Sequence, residues 1–198
     1  MSLYIFLNGP ARSGKDTIKD ELRKFFKRFE PRDPFFKVTA SDMLQVGCAS
    51  LYSIDWDEWS RRYNSSMKDS PWDKLFGLSQ REAMISIAET HLKPLHGNDV
   101  MSKILINRLK SVTGEYVFLL DIGFQEEYDY YLEELGIDNC VLVHVEKDGK
   151  TYDGDSRSHV TPRGERTFKI RNNGSISDLI STIEASGLIG VIREHNAT

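Results

Sequence analysis

The segment at residues 9–15 constrains this chain more than any other part of its sequence. It reads Gly-Pro-Ala-Arg-Ser-Gly-Lys and fits the pattern G-x-x-x-x-G-K, in which backbone N–H groups converge on a phosphate and the lysine reaches its outer oxygens. An apolar run at residues 3–7 precedes the segment, and a helical pattern starts at Lys15. Because the motif needs a strand before it and a helix after it, this context removes most chance matches. We therefore predict a nucleotide-binding loop.

The same segment supplies the candidate phosphate ligands. Lys15 is the predicted catalytic cation, and Arg12 is placed for the phosphates of the donor. Asp16 follows the lysine, where such loops usually carry Ser or Thr to bind Mg²⁺, so we predict that Asp16 contacts the metal. The alternative is an acid at a helix start, favoured by the helix dipole. The predicted nucleotide-binding residues here are Gly9, Ala11, Arg12, Ser13, Gly14, Lys15, Asp16 and Thr17.

The rest of the chain alternates buried-type apolar runs with helical patterns. Such alternation is typical of a parallel α/β sheet, and we predict three layers, with helices on both faces of the sheet. Residues 54–76 hold all three tryptophans and read as an irregular or helical excursion beyond the core. The predicted strands are 3–7, 35–40, 116–120, 140–145 and 167–170, and the predicted helices are 15 to Pro31, 41–51 with an N-cap at Ser41-Asp42, 79–91 with a capping box, 99–109, 126–135 and 175–186.

Composition excludes several classes of protein. The chain has 198 residues, 39% of them hydrophobic, with 26 basic against 30 acidic side chains. This balance argues against a disordered tail and against bulk nucleic-acid binding, which usually needs a basic surplus. No apolar stretch approaches the roughly 20 residues of a membrane helix. We therefore expect neither nucleic acid nor membrane as a partner.

Cys48 and Cys140 are isolated in the sequence. Two such cysteines are more often buried thiols of a reducing compartment than a disulfide. The first residues also lack a basic region and a small-residue cleavage site. Both observations lead us to expect a cytoplasmic protein.

Several islands of sequence, in this order, resemble one family. The loop variant Ser-Gly-Lys-Asp-Thr, the chain length and the layout are similar to the phage deoxynucleoside monophosphate kinases, within the P-loop nucleoside monophosphate kinase group. Weaker islands lie at residues 38–44, 120–126, 158–161 and 170–179. The resemblance implies a three-layer α/β/α P-loop NTPase fold with a mainly parallel sheet. It further implies a single domain with a core at about 1–53 and 98–198, a helical acceptor-binding region at about 54–97 and a small lid at about 147–166.

The resemblance also implies an activity: transfer of the γ-phosphoryl group of ATP, with Mg²⁺, to a (deoxy)nucleoside monophosphate, giving the diphosphate. Asp121, at the end of a buried strand, would serve catalysis and the metal; an ordinary turn-capping role is the alternative. A closing lid would bring Arg163 and Arg166 onto the transferring group. The donor base would meet Asn172 and Asn173, and the acceptor-binding residues would be Asp42, Arg61, Arg62 and Arg81.

Each of these assignments has an ordinary structural alternative. Asp42 would cap a helix, the arginines would be solvated, and Asn172-Asn173 would form a plain turn. Trp56, Trp59 and Tyr63, at helical spacing, would stack on a base or form a core stripe. Expected partners are ATP and a nucleoside monophosphate, with a homodimer possible and, for a phage protein, the host cytoplasm as its location.

Two other functions stay open at this point, and a third is disfavoured. A kinase with the same mechanism could act on a small non-nucleotide phosphorylated metabolite, because the acceptor region is the least recognisable part. A nucleotide-binding module without kinase activity is the second. A GTPase-type switch is disfavoured because the sequence contains no Asn-Lys-x-Asp guanine signature.

Overall fold

The computed structural model describes residues 2–28, 35–110, 116–120 and 122–195. The described chain divides into two compact units, residues 1–38 with 108–198 and residues 39–107. The strands are β1 (Leu3–Asn8), β2 (Phe35–Val38), β3 (Tyr116–Leu119), β4 (Cys140–Glu146) and β5 (Arg166–Arg171). The α-helices are α1 (Lys15–Lys27), α2 (Ala40–Leu51), α3 (Trp56–Tyr63), α4 (Gln80–Ile87), α5 (Lys93–His96), α6 (Val100–Leu109), α7 (Gln125–Leu135), α8 (Ile176–Ala185) and α9 (Leu188–His195).

The first unit, residues 1–38 with 108–198, contains a five-stranded sheet in the order β2-β3-β1-β4-β5. Every neighbouring pair of these strands is parallel. The carboxyl ends of the strands therefore meet at one edge of the sheet, where ligands bind in open α/β folds. The predicted α/β class with a mainly parallel sheet is confirmed.

Alternating side chains of β1 reach both faces of the sheet. Leu3, Ile5 and Leu7 join a buried cluster with residues of α1, α8 and α9. Phe6 points to the other face, where its ring lies 5.4 Å from that of Tyr128 in α7. Because side chains alternate along a strand, an unbroken apolar run needs helices on both faces. The unit therefore has three layers, as predicted.

The second unit, residues 39–107, has a core of its own. Trp59 is fully buried there, with Cys48, Leu75 and Ala83 in the same cluster. Trp59 is thus a core side chain, whereas Trp56 at the start of α3 is 46% exposed. The excursion predicted at residues 54–76 consists of α3 and two short 3₁₀ turns, Ser66–Asp69 and Asp73–Leu75.

Two helix boundaries differ from the sequence prediction, and one helix was not predicted. Helix α2 is capped by Thr39 rather than by Ser41-Asp42, since Thr39 and Asp42 form a reciprocal capping box. The helix predicted at 79–91 has its capping box at Ser79, but its α-helical part ends at Ile87 and a π-helical turn, Ala88–Leu92, follows. Pro94, two residues after this turn, has no N–H for an ordinary helical bond. Helix α9 was not predicted, and the predicted end of α1 at Pro31 lies outside the described residues.

Both cysteines are buried and free, as the sequence predicts. Burial raises the pKa of the Cys48 thiol to about 11 and that of the Cys140 thiol to about 12. In the described ranges, no helix combines the length and the apolar character needed to cross a bilayer.

Candidate functional site

The loop at residues 9–14 joins the carboxyl end of β1 to the start of α1. Arg12 and Gly14 both have left-handed backbone conformations, with φ of 63° and 97°. A side chain on Gly9 would place its Cβ 2.5 Å from the carbonyl oxygen of Val145, and one on Gly14 would collide with the Asn172 amide. Both glycines are therefore required by the fold. The loop opens directly into the N-terminus of a 13-residue helix, which favours an anion.

Lys15 begins α1, and its ammonium group is held against the loop itself. Its Nζ donates to the carbonyl oxygens of Gly9 at 2.6 Å and Pro10 at 2.9 Å. These are neutral acceptors, so a phosphate oxygen carrying negative charge is the stronger partner for the same ammonium. The structure thus places the predicted catalytic cation at the loop.

Asp16 lies in the first turn of α1, with its side chain 69% exposed. Its carboxylate is 3.3 Å from Lys19 Nζ and 3.5 Å from Lys37 Nζ. Burial alone would raise the pKa of this carboxyl, but the two ammonium groups outweigh it and lower the pKa. Asp16 is therefore ionised and available beside the loop.

This donor set suits Mg²⁺ better than a metal that needs a protein cage. Mg²⁺ is usually held by one or two carboxylates together with substrate phosphates. Among the residues that the structure describes, no group of three or more His, Cys, Asp or Glu side chains could hold a metal alone. Asp121, the other predicted metal ligand and a predicted catalytic residue, lies outside the described residues.

Asn172 supports the phosphate loop through a side-chain hydrogen bond. Its side-chain amide donates to the carbonyl oxygen of Ser13 at 2.8 Å, and its backbone N–H donates to Glu146. The side chain is only 8% exposed. Asn173 uses its side-chain oxygen to accept the backbone N–H of Asp148. Of the two residues predicted to meet the donor base, Asn172 thus contacts the loop and Asn173 the chain that follows β4.

Asn8, the last residue of β1, is the site residue that the sequence analysis missed. It is fully buried. Its amide nitrogen donates to the carbonyl oxygens of Ile122 and Ser158 and to the Tyr152 hydroxyl, at 2.9 to 3.1 Å. Its oxygen accepts from the backbone of Val160 at 3.2 Å and faces His159 Nδ1 at 3.0 Å. The only signal for Asn8 in the sequence is that a polar residue ends the apolar run just before Gly9.

These partners belong to a segment that we call the strap, residues 147–165, which connects β4 to β5. The strap has no helix or strand of its own. Besides Asn8, it is held by Ser158, whose N–H donates to Gly123, and by Glu165, which accepts from the hydroxyl of Tyr128 at 2.5 Å. The predicted lid is thus held against the rest of the first unit by side-chain and backbone hydrogen bonds.

The two predicted lid arginines lie at different places. Arg163 forms a two-pronged ion pair with Asp129 of α7, with both nitrogen–oxygen distances 2.8 Å. Arg166 begins β5 and donates to the carbonyl oxygen of Asp138. Arg166 lies where the amino ends of the strands meet, next to an open cleft of about 650 Å³. The phosphate loop follows the carboxyl end of β1, so the structure does not bring Arg166 to the loop.

The predicted acceptor-binding residues all belong to the second unit. Asp42 is engaged in the capping box of α2. Arg62 donates to the carbonyl oxygens of Ser70 and Pro71 and lies 4.8 Å above the Trp72 ring. The structure therefore uses Arg62 to hold this unit together.

The other two arginines of this unit are more open to solvent. Arg61 is exposed and donates to the carbonyl oxygen of Asp57 within its own helix. Arg81 is 55% exposed, and its guanidinium lies 3.9 Å from Asp69. Both side chains have accessible donors for a ligand.

No protein-family model matches this chain, and no curated protein matches its sequence. Two solved structures align along most of its length. An unliganded sugar kinase from Janibacter sp. HTCC2649 has a TM-score of 0.45 and 12% identity, covering 96% of this chain and 97% of that one. A gluconokinase from Sinorhizobium meliloti 1021 has a TM-score of 0.43 and 12% identity, covering 98% and 94%. At these scores the likeness carries no information about activity or substrate.

Proposed function

We propose that this chain is an ATP-dependent kinase that phosphorylates a small-molecule acceptor. The observation that carries the proposal is the loop between β1 and α1, with Gly9 and Gly14 sterically fixed and the Lys15 ammonium held against it. Phosphoryl transfer needs positioning and charge neutralisation more than covalent chemistry from the protein. Backbone N–H groups, a helix N-terminus and a lysine supply both.

Mg²⁺ is part of the proposal. We assign its protein ligands to Asp16 and Asp121, directly or through bound water. Bound there with the nucleotide, the ion would neutralise the charge that develops on the β- and γ-phosphates. Arg12 is exposed on the loop and would contact the donor phosphates.

The strap carries the proposed lid function through Arg163. Its guanidinium would have to leave Asp129 to reach the transferring group, and both side chains of this ion pair are more than 40% exposed. Exposed ion pairs contribute little free energy, so Arg163 can exchange Asp129 for a phosphate at little cost in stability. We keep Arg166 as a second candidate, to be tested with it.

Two acceptor classes are open. The sequence resemblance favours a (deoxy)nucleoside monophosphate, with Arg61 and Arg81 as accessible phosphate ligands. A small non-nucleotide metabolite is the alternative, and the environment of His159, described below, favours it.

The test is ADP release from ATP and Mg²⁺ with two acceptor panels and a control without acceptor. One panel holds ribo- and deoxynucleoside monophosphates; the other holds monosaccharides, polyols and hydroxy acids. Turnover that depends on an acceptor and disappears in Lys15→Ala supports the proposal. ATP binding without turnover on either panel would instead indicate a nucleotide-binding module. Lys24→Ala, which removes an exposed lysine from the same helix, is the matched control.

A further inference from the structure

His159 lies on the strap with one ring nitrogen engaged and the other open. Its Nδ1 faces the side-chain oxygen of Asn8 at 3.0 Å, and Asn8 directly precedes Gly9 of the phosphate loop. The Tyr152 ring meets the imidazole edge to face, with ring centres 5.0 Å apart. The side chain of His159 is exposed, and within the described chain no hydrogen bond engages its Nε2. The ring is thus oriented from one side only.

Asn8 determines which nitrogen of His159 carries the proton. The Asn8 amide nitrogen is identified by its two carbonyl acceptors, Ile122 and Ser158, and its oxygen by the N–H of Val160. An amide oxygen only accepts hydrogen bonds, so Nδ1 of His159 must be the donor. In the neutral imidazole, Nε2 then bears the lone pair. His159 therefore presents a base to solvent beside the loop.

The neighbouring His144 is fixed in the opposite tautomer. Its Nε2 lies 3.1 Å from the carbonyl oxygen of Val160 and must donate to it. The two rings are 5.2 Å apart. Since His144 is partly buried and its Nε2 is occupied, His159 is the member of this pair that offers a lone pair at Nε2.

The charges around His159 favour its neutral form. Partial burial, Lys169 and Lys15 lower the pKa of the imidazole, while Glu146 raises it. The other titratable groups facing it are His144 and Tyr152. Both histidine pKa values lie below the ordinary value, chiefly through burial.

We propose that Nε2 of His159 takes the proton of an alcohol hydroxyl while that oxygen attacks the γ-phosphorus of ATP. This inference rests on the proposed kinase function and names its acceptor class, an alcohol. The bond from the acceptor oxygen to phosphorus forms, the bond from phosphorus to the β,γ-bridging oxygen breaks, and ADP leaves with that electron pair. The proton stays on Nε2 until solvent removes it.

A nucleoside monophosphate would have no use for this base. The second pKa of a phosphate monoester is about 6, so its attacking oxygen is mostly deprotonated at neutral pH. An alcohol, in contrast, must lose a proton during the transfer, and a positioned base contributes about 10²–10⁴-fold to such a step. The fixed tautomer therefore distinguishes between the two acceptor classes.

The experiment compares wild type with His159→Asn and His159→Gln, using MgATP and the two acceptor panels. An asparagine amide nitrogen can replace Nδ1 and keep the bond to Asn8, but it supplies no base at Nε2. We expect turnover with alcohols, a loss of about 100-fold or more in kcat in both variants, and unchanged ATP affinity and Tm in His159→Asn. The acid limb of the wild-type pH profile should disappear in that variant. His96→Asn, an exposed histidine of α5, is the control that should keep full activity.

Each other outcome has a defined meaning. Turnover only with nucleoside monophosphates, ADP release without any acceptor, or wild-type kcat in His159→Asn overturns the role of His159 and leaves ATP turnover intact. Failure to bind ATP rejects the kinase itself. ATP binding without turnover on either panel also rejects the kinase and indicates a nucleotide-binding module. Where alcohols are phosphorylated, the ¹⁵N NMR signals of His159 give a second readout. The neutral Nδ1–H tautomer at pH 7 supports the proposal, and an Nε2–H tautomer or a charged ring at that pH overturns it.

Discussion

The side chain of Asn172 donates to the carbonyl oxygen of Ser13 over 2.8 Å, so the turn after the edge strand β5 supports the phosphate loop after the central strand β1. The same amide also occupies the space next to Gly14 where a side chain would lie. Loop shape in this protein therefore depends on a residue 159 positions along the chain from the residue it contacts.

Replacing Asn172 with Ala should loosen the loop. The buried Ser13 carbonyl would lose its donor, which costs about 1–3 kcal/mol. We expect a lower Tm and weaker ATP binding, measured by thermal unfolding and calorimetry. Asn64→Ala, at an exposed asparagine of the second unit, is the control. Equal ATP affinity in wild type and Asn172→Ala would show that the loop holds its shape without this bond.

Replacing Lys15 with Ala should abolish most turnover while the protein stays folded. The ammonium group is aimed at charge that develops during the transfer, and groups of this kind contribute about 10²–10³-fold to kcat. Its Nζ also donates to the carbonyl oxygens of Gly9 and Pro10, so Lys15→Ala should lower Tm as well as kcat. ADP release and thermal unfolding measure both effects, with Lys24→Ala as reference. Retained turnover would contradict the assignment of the loop.

The proposed lid role can be tested on each arginine separately. Arg163→Ala should lower kcat more than it changes the KM for ATP, because a lid contact acts on the transferring group. Asp129→Asn, which removes the negative charge that holds Arg163, should loosen the guanidinium and keep kcat at or above the wild-type value. If Arg163→Ala and Arg166→Ala both leave kcat unchanged, the strap is not a catalytic lid.

Because of Tyr152, the free energy of unfolding should decrease at alkaline pH. The pKa of this phenol is raised from 10.0 to about 12, and burial is the largest cause of the shift. Because the folded form holds the proton more tightly, its contribution is complete below pH 10 and declines as the pH rises towards 12. Urea unfolding of wild type and Tyr152→Phe between pH 9 and 12, in steps of about half a unit, should show a shallower decline in the variant. Tyr130→Phe, which removes a phenol of α7, is the control. Parallel curves for wild type and Tyr152→Phe would rule out Tyr152 as the cause.

Loss of the Tyr128–Glu165 hydrogen bond should destabilise the protein. Glu165 is 7% exposed and accepts both the Tyr128 hydroxyl and the Arg163 N–H. Tyr128→Phe leaves the carboxylate one donor short, at a cost of about 1–3 kcal/mol. Glu165→Gln keeps an acceptor oxygen and should cost less. The free energy of unfolding measures both, and a smaller loss in Tyr128→Phe than in Glu165→Gln would contradict this account.

Local patterns explain what the sequence could predict. The loop is recognisable because Gly9, Gly14 and Lys15 lie within seven residues, and the capping box of α4 because Ser79 and Glu82 are three apart. Buried strands appear as apolar runs because helices cover both faces of the sheet. Each of these features is encoded by neighbours in the chain.

Long-range contacts explain what the sequence could not predict. The partners of Asn8 lie 114 to 152 residues away, and nothing in an asparagine before a glycine identifies them. The sequence around Arg166 predicts a basic loop, but Arg166 pairs with Val141 and is the first residue of β5. Helix α9 was not predicted because Gly190 interrupts its apolar pattern.

The strap also marks a place where the chain could be cut. Gly149 and Gly154 stand in open space near its beginning, whereas β5 and α8 that follow it are fixed by the ladder to β4 and by Ile170, Leu179 and Ile183 in the core. Exposed glycine-rich connections are where nicks and permutations are best tolerated. Fragments divided at Gly149 therefore have the complementary surfaces needed to reassemble, and the separate piece would bring β5, the loop-supporting Asn172 and the base of His159 together as one exchangeable part.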